Sequence, residues 1–433
     1  MAATTPKIAI VGAGPVGLTL AAILHRNGVR STVFERESSA AVRAQGGTLD
    51  IHAGSGQRAL TAAGLLAKFR KLARVEGETI RLVKGDGTVL FDQNGKQREK
   101  KGKEEEAGEE EGRGRPEIDR HDLKNMLIEA LPKEYIRWNK GIASIAPVPG
   151  TSQWTLSFID RDDDDESGPY DLVLGADGAW SRVRPRLTDV KPLYSGIMSL
   201  DVWISAGALD SRSDVGSFIG RGTCLAMSEG RSMVLQRHSD GTARVYMCVR
   251  TSKDLGAEVP STKALLHLTE EESKEIGEVD WTDEKTRKRF LDTHFADWSR
   301  ESVDAALAMT DLPTLRPFYM LPIGHRWESR PGVSLLGDAA HLMTPFAGAG
   351  VNVGMTDAFE LAEGILGYVN GEKKGADGLA KVLRTYEEGM FERSSKDAAL
   401  TKKRMVMYHE PGGAEMFRDL MTGGSGGGMK KAN

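Results

Sequence analysis

The chain has 433 residues, enough for two domains and a large core. Its formal net charge of −4 and pI near 6.2 exclude the broad basic footprint of a nucleic-acid binder. Two cysteines, Cys224 and Cys248, in no C-x-x-C arrangement exclude a local dithiol pair and a cysteine zinc site, and point to a reducing cytoplasmic setting.

The opening MAATTPKIAI has no charged segment followed by a separate apolar one, so no signal peptide is expected. Residues 8–24 are apolar, but glycines and Pro15 interrupt them, so no membrane span is expected either. Residues 7–11 (KIAIV) read as a buried parallel strand. GAGPVG follows at once and places Gly12, Gly14 and Gly17 in G-x-G-x-x-G spacing. A helix over residues 16–24 ends at Asn27-Gly28, and a second strand over 31–34 ends at Glu35. In that setting Gly12 makes the tight turn and Gly14 lets a pyrophosphate reach the backbone. Gly17 packs helix on strand, and Glu35 can accept from a ribose hydroxyl.

Residues 94–115 are almost purely charged or glycine and are expected to form a surface loop. A shorter acidic tip follows at 160–167, where adjacent aspartates lack a closing ligand, so no metal site is expected. The tail from 423 is Gly-rich and reads as flexible. Residues 120–131 read as a helix, and 154–159 and 170–174 as strands. Residues 199–204, 223–227, 233–236 and 244–250 read as strands of an antiparallel sheet. Helices are expected over 262–268, 283–295, 302–309 and 379–408.

A buried strand runs into Gly175-Ala176-Asp177-Gly178, with Ser181 and Arg184 following. Late in the chain, LLGDAAHLMTPFAGAGVNVGMTDAFEL reads as strand end, Gly337-Asp338, a Pro/Gly turn, then an amphipathic helix. A glycine turn opening a helix offers free N–H groups and the positive end of a dipole. Two such sites far apart in one chain suggest one extended dinucleotide gripped at both ends.

GAGPVG, GADGAWSRVR and GDAAHLMTPFAGAGVNVGMTDA, in that order, resemble the three fingerprints of class A FAD-dependent aromatic monooxygenases. GGTLDIHAGSGQRALTAAGLL, PEIDRHDL, FADW and YEEGMF are similar to the tetracycline-inactivating (TetX-like) branch. The resemblance implies an α/β fold: a Rossmann-like FAD-binding domain, an inserted β-rich substrate domain and a long C-terminal helix. The expected divisions are 1–75, 115–190 and 310–375 for FAD; 76–114 and 191–309 for substrate; 376–420 for the C-terminal helical segment; and a tail at 421–433.

The resemblance also implies roles. Glu35 binds the adenosine ribose and Arg36 lies beside the ADP half. Arg43 meets NADPH, and Asp50 and Arg120 contact FAD. Asp177 serves FAD and NADPH binding, and Asp338 holds the flavin's ribityl and pyrophosphate region. Gly348, Ala349, Gly350, Val351 and Asn352 form the turn facing the flavin pyrimidine. FAD is held non-covalently. NADPH and O2 are co-substrates, and hydroxylation of an aromatic or polycyclic molecule proceeds through a C4a-hydroperoxyflavin. No protein nucleophile is required, and His341 is expected to pack or cap rather than catalyse. A monomer or weak homodimer is expected.

At three polar positions of the inserted sheet where the TetX-like branch meets its substrate, this chain has Asp201, Cys224 and Glu229, with Arg221 a candidate substitute arginine. The expected substrate pocket uses Asp201, Arg221 and Glu229 along one wall, with Pro345 and Phe346 on another. Two carboxylates there would favour a neutral or cationic aromatic over tetracycline. A flavin halogenase would show W-x-W-x-I-P, which none of the seven tryptophans forms. An FAD-dependent reductase or dehydrogenase, or a flavin-bound binder without turnover, stands as the alternative.

Overall fold

The structure, a computed structural model, describes residues 5–42, 46–95, 114–159, 167–371 and 377–423. Arg43, most of the charged loop, the acidic tip and the glycine tail lie outside the described residues. The chain divides into two compact units. Unit 1 comprises Met1–Ala73, Glu109–Pro192 and Tyr319–Lys402, and unit 2 comprises Arg74–Gly108, Leu193–Phe318 and Lys403–Asn433.

Unit 1 is built on five strands in the order Val333–Leu335, Leu172–Gly175, Ile8–Val11, Ser31–Phe34, Ile136–Arg137, all parallel. Burial on both faces explains the apolar runs of Ile8–Val11 and Leu172–Gly175. The central strand Ile8–Val11 lies between the strands that lead into the first and middle motifs' partners: Ser31–Phe34 on one side, Leu172–Gly175 on the other. The first helix, Pro15–Arg26, the late helix, Gly350–Val369, and the first part of the C-terminal helix, Gly378–His409, pack apolar residues into one core with these strands.

Unit 2 carries a seven-stranded sheet in the order Thr314–Met320, Leu193–Ile204, Ala243–Arg250, Arg231–Arg237, Thr223–Ser228, Ile80–Lys84, Val89–Asp92. Met198, Leu200, Val202 and Ile204 alternate onto a core face with Val245 and Met247 and meet Phe290 and Phe295. Ser199 and Asp201 point the other way.

Several expectations change. The sheet is mixed, because Thr223–Ser228 pairs in parallel with Ile80–Lys84. The expected strand at 199–204 begins at Leu193, its first half broken in pattern by Gly196 at φ +85°. The helix expected over 262–268 stops at Leu265, and His267 follows at φ +48°. Residues 310–318 belong with unit 2, because Thr314–Met320 joins its sheet. The C-terminal segment is no separate body: residues to Lys402 count with unit 1, later ones with unit 2. Asn94, at the start of the expected charged loop, accepts from the Arg221 N–H at 2.9 Å through its side chain. Among the described residues no helix is long and apolar enough to cross a membrane.

Candidate functional site

The first turn meets its three constraints in three ways. Gly12 has φ +108°, and a Cβ there would lie 2.5 Å from the Ala176 carbonyl oxygen. At Gly17 a Cβ would lie 2.2 Å from the Gly12 oxygen. At Gly14 it would meet nothing within 4 Å. Two glycines are thus required by the protein's own packing, while Gly14 leaves open space. Gly14 caps the first helix without a side-chain hydrogen bond, and Pro15 has no N–H to satisfy. The first intrahelical bond shown there runs from Leu18 N–H to Gly14. The N–H groups of Val16 and Gly17 precede it, as an anion site requires. Glu35 closes the turn by accepting from Ala13 N–H at 2.7 Å and Glu37 N–H at 3.1 Å. Arg36 beside it is exposed.

The late turn lies against the first. A Cβ on Gly337, at φ +57°, would lie 3.1 Å from Val16, and one on Gly354 would lie 2.5 Å from Val16. These glycines let the late strand end and late helix close on the start of the first helix. Pro345 to Ala347 form a short 3-10 turn, with Pro345 exposed and Phe346 buried. Gly348 follows at φ +63°, where a Cβ would lie 3.2 Å from Asp50 Oδ1. The late helix has Ala349 as its cap and no side-chain cap. Its first intrahelical acceptor serves Val353, so the N–H groups of Gly350, Val351 and Asn352 precede the ladder.

The Asn352 side chain has a different task from the one its neighbours share. Its Oδ1 accepts from His52 N–H at 2.8 Å and Ser55 Oγ at 3.2 Å, and its Nδ2 donates to the Asp50 carbonyl at 2.7 Å. It ties residues 50–55 to the start of the late helix. The Asp50 carboxylate pairs with His52 at 2.8 Å.

Asp338 opens a short helix, Asp338–His341, and its side chain is solvent-exposed. Surrounding protein atoms push its pKa up by desolvation, while the charges of His341, Arg120 and Arg184 pull it down. An exposed residue so ringed by protein sits on a concave surface, and its open side limits how far desolvation acts. A Cβ on Gly350 would lie 3.9 Å from its Oδ1. Asp338, Gly350 and Arg120 therefore share one locality. Asp177 is half-buried. Its Oδ2 accepts from Arg182 N–H at 2.6 Å, a local cap, and its Oδ1 is buried without a partner. Desolvation raises its pKa, against the hydrogen bonds from Ser181 and Arg182.

Sequence reasoning left two residues unassigned. Buried Arg184 donates to the Ala339 carbonyl at 3.0 Å and the Ala179 carbonyl at 2.5 Å, tying the middle motif to the late one. Asp357, in the late helix, hydrogen-bonds Gly337. Both stood inside quoted motifs; only the chain's return over a long separation gives them partners.

The three polar residues expected along one substrate wall are not together. Arg221 and Glu229 flank opposite ends of Thr223–Ser228, roughly 25 Å apart along the strand. Arg221 lines a cavity of about 670 Å³ with Arg74 and Arg237. Glu229 lines another of about 300 Å³ with Lys84, Asp86 and Glu410. Asp201 is buried on Leu193–Ile204 and is not a free carboxylate. It pairs with Arg244 at 3.0 Å and Arg316 at 2.8 Å, and accepts from Ser199 at 2.5 Å. Arg244 lies over the rings of Trp203 and Tyr246, at 5.1 and 4.9 Å. Cys224 is buried in the core, which pushes its thiol up to about 12.

The open space at Gly14, the uncapped starts of both helices and exposed Asp338 fit a dinucleotide that carries a pyrophosphate and a polyol. The family model for the FAD binding domain matches residues 5–396. The chain belongs to that family. Monooxygenase asqM of Emericella nidulans is 32% identical over 96% of this chain and 98% of its own length. Monooxygenase penA of Penicillium thymicola is 30% identical over 96% and 98%. Salicylate hydroxylase in a substrate complex shares the fold, with a TM-score of 0.69 at 18% identity, covering 96% of this chain and 94% of that one. Tetracycline destructase Tet(51) does so with a TM-score of 0.64 at 19% identity, covering 97% and 96%. This chain is an FAD-dependent monooxygenase of the aromatic-hydroxylase fold. The TetX-like similarity extends to fold, and at such identity no further.

Proposed function

We propose that the chain hydroxylates an aromatic or polycyclic small molecule that bears an acidic group, using O2 and a nicotinamide nucleotide, NADPH in the first instance. When bound, FAD supplies hydride acceptance and oxygen activation. The protein's part is to hold, orient and polarise. The N–H groups of Val16 and Gly17 would take the pyrophosphate, and Glu35 the adenosine ribose. Asp338 would accept from ribityl hydroxyls. The N–H groups of Gly350, Val351 and Asn352, at the positive end of a 20-residue helix, would favour negative charge on the flavin pyrimidine edge.

The acidic substrate is carried by one observation: buried Asp201 is met by two arginines. The expectation of a neutral or cationic substrate assumed a free carboxylate. Arg244 and Arg316 both engage it, Asp311 also faces Arg244, and the half-exposed Arg316 guanidinium is the cation left open to solvent. The open face of the Arg316 guanidinium suits an aromatic carboxylate, phenolate or enolate. Relatives agree in chemistry: one from Streptomyces platensis, 26% identical, is named for 3-amino-4-hydroxybenzoate, and structural neighbours hold uric acid or are named for salicylate.

A screen of hydroxybenzoates, other acidic phenols and neutral analogues for stimulated NADPH oxidation tests this reading. The acidic compounds should stimulate, and Arg316→Gln should raise their apparent KM with flavin content unchanged. Stimulation confined to amines, or an Arg316→Gln enzyme with wild-type KM, would contradict it.

A further inference from the structure

Beneath the late turn lies a buried charge group whose members have no assigned role in holding the cofactor. Asp357 stands in the late helix with its side chain fully buried. Its Oδ2 accepts from the Gly337 N–H at 3.0 Å and from His341 Nε2 at 2.5 Å. Its Oδ1 accepts from Arg393 at 2.8 Å, and Arg393 also pairs with Glu360 at 2.6 Å. Both carboxylate oxygens are therefore used, and three elements meet on one side chain: the turn, the late helix and the C-terminal helix.

The turn needs such a hold. Gly337 sits at φ +57°, ψ −140°, a conformation open to glycine alone. It bends the chain from the strand Val333–Leu335 into Asp338, so its setting fixes where the Asp338 carboxylate lies. Asp357 and Glu360 carry two negative charges and Arg393 one positive. A protonated His341 supplies the second positive charge beside Asp357. Burial pushes the His341 ring down in pKa, and the charge and hydrogen bond of Asp357 more than reverse it. Asp357 is held low by the same pairing, against its own desolvation. The other charged groups facing His341 are Asp338 on its own helix and Asp397 on the C-terminal helix. Desolvation raises the Asp397 pKa.

The geometry points to Asp357 as the residue that positions the late cofactor turn, with the His341 imidazolium as its proton-dependent partner. The inference rests on Asp338 serving FAD, yet neither Asp357 nor His341 need touch the cofactor. They are positioning residues. The sign follows from a raised histidine pKa. The pairing is complete below the unfolded value of about 6.5 and is lost as pH climbs through the higher folded value. FAD should bind more weakly as the solution becomes alkaline.

The test titrates apoprotein with FAD, followed by flavin fluorescence, from about pH 6 to about pH 9, with apoprotein thermal midpoints alongside. Wild type should lose several-fold in FAD affinity across that range. His341→Gln, which can still donate one hydrogen bond, should bind FAD with that slope removed. Asp357→Asn should bind FAD about tenfold more weakly at neutral pH, because its amide N–H groups oppose His341 and Arg393. A merely structural role would lower midpoints while leaving the wild-type slope in His341→Gln. That retained slope, or wild-type affinity in Asp357→Asn, overturns the proposal. Failure of the cofactor reading looks different: wild type would then show no flavin binding at any pH. The pH slope of the wild-type midpoint, absent in His341→Gln, would still report the pair.

Discussion

Three glycines of one motif are held in place by different things, and substitution separates them. Gly12→Ala and Gly17→Ala drive a methyl group into backbone carbonyl oxygens at 2.5 and 2.2 Å. Both should lower apoprotein stability by about 1–3 kcal/mol, as overpacking does. Gly14→Ala has room in the protein and should keep its thermal midpoint while losing FAD affinity. Equal loss of midpoint in all three, by scanning calorimetry, would remove the distinction. The two acids separate in a similar way. Asp177 already spends Oδ2 on a local cap, whereas Asp338 is exposed beside Gly350. Asp338→Ala should cost about 1.5–3 kcal/mol of FAD binding, the worth of a charge-assisted hydrogen bond. Asp177→Ala should cost less of it, and equal retention after the same dialysis would contradict the assignment.

At the scale of elements, single polar side chains fasten segments far apart in sequence. Asn352→Ala would leave the His52 N–H and the Asp50 carbonyl without their partner, at about 1–3 kcal/mol for each group left buried. Hydrogen exchange should rise at residues 50–57 first; unchanged protection there would show that other contacts hold the segment. In unit 2, His409 bonds the Met405 carbonyl at 2.8 Å and Ser232 at 3.3 Å. Burial depresses its pKa to about 4. A depressed histidine contributes stability above its unfolded pKa of about 6.5, and that stability fades as pH falls towards 4. Acid melts should therefore show a loss in that window that His409→Gln lacks.

The elements also show what the sequence could tell. Residues 8–11, 31–34 and 15–26 announce themselves because strand, glycine turn and helix are local and agree with one another. The strand Thr314–Met320 does not, because Pro317 argues against a strand. It lies at the sheet edge, where strands tolerate proline. In the site, the glycines and acids of each motif were legible. The partners of Asp201, Asp357 and Arg184 were not, because they stand dozens to more than a hundred residues away or on a neighbouring strand. Charge counted along the sequence made the Asp201 neighbourhood acidic. Charge counted across the sheet pairs its carboxylate with two arginines.

For the whole molecule, the central claim is that one atom of dioxygen enters an aromatic product at the expense of a nicotinamide nucleotide. The direct measurement is turnover of the FAD-loaded enzyme under isotopically heavy dioxygen with NADPH and a hydroxybenzoate substrate, followed by mass analysis of the product. The account predicts a product that carries one heavy oxygen atom, with NADPH consumed in proportion. A product whose new oxygen comes from water, or substrate oxidised with no oxygen gained, would contradict it and favour a flavin dehydrogenase on the same fold.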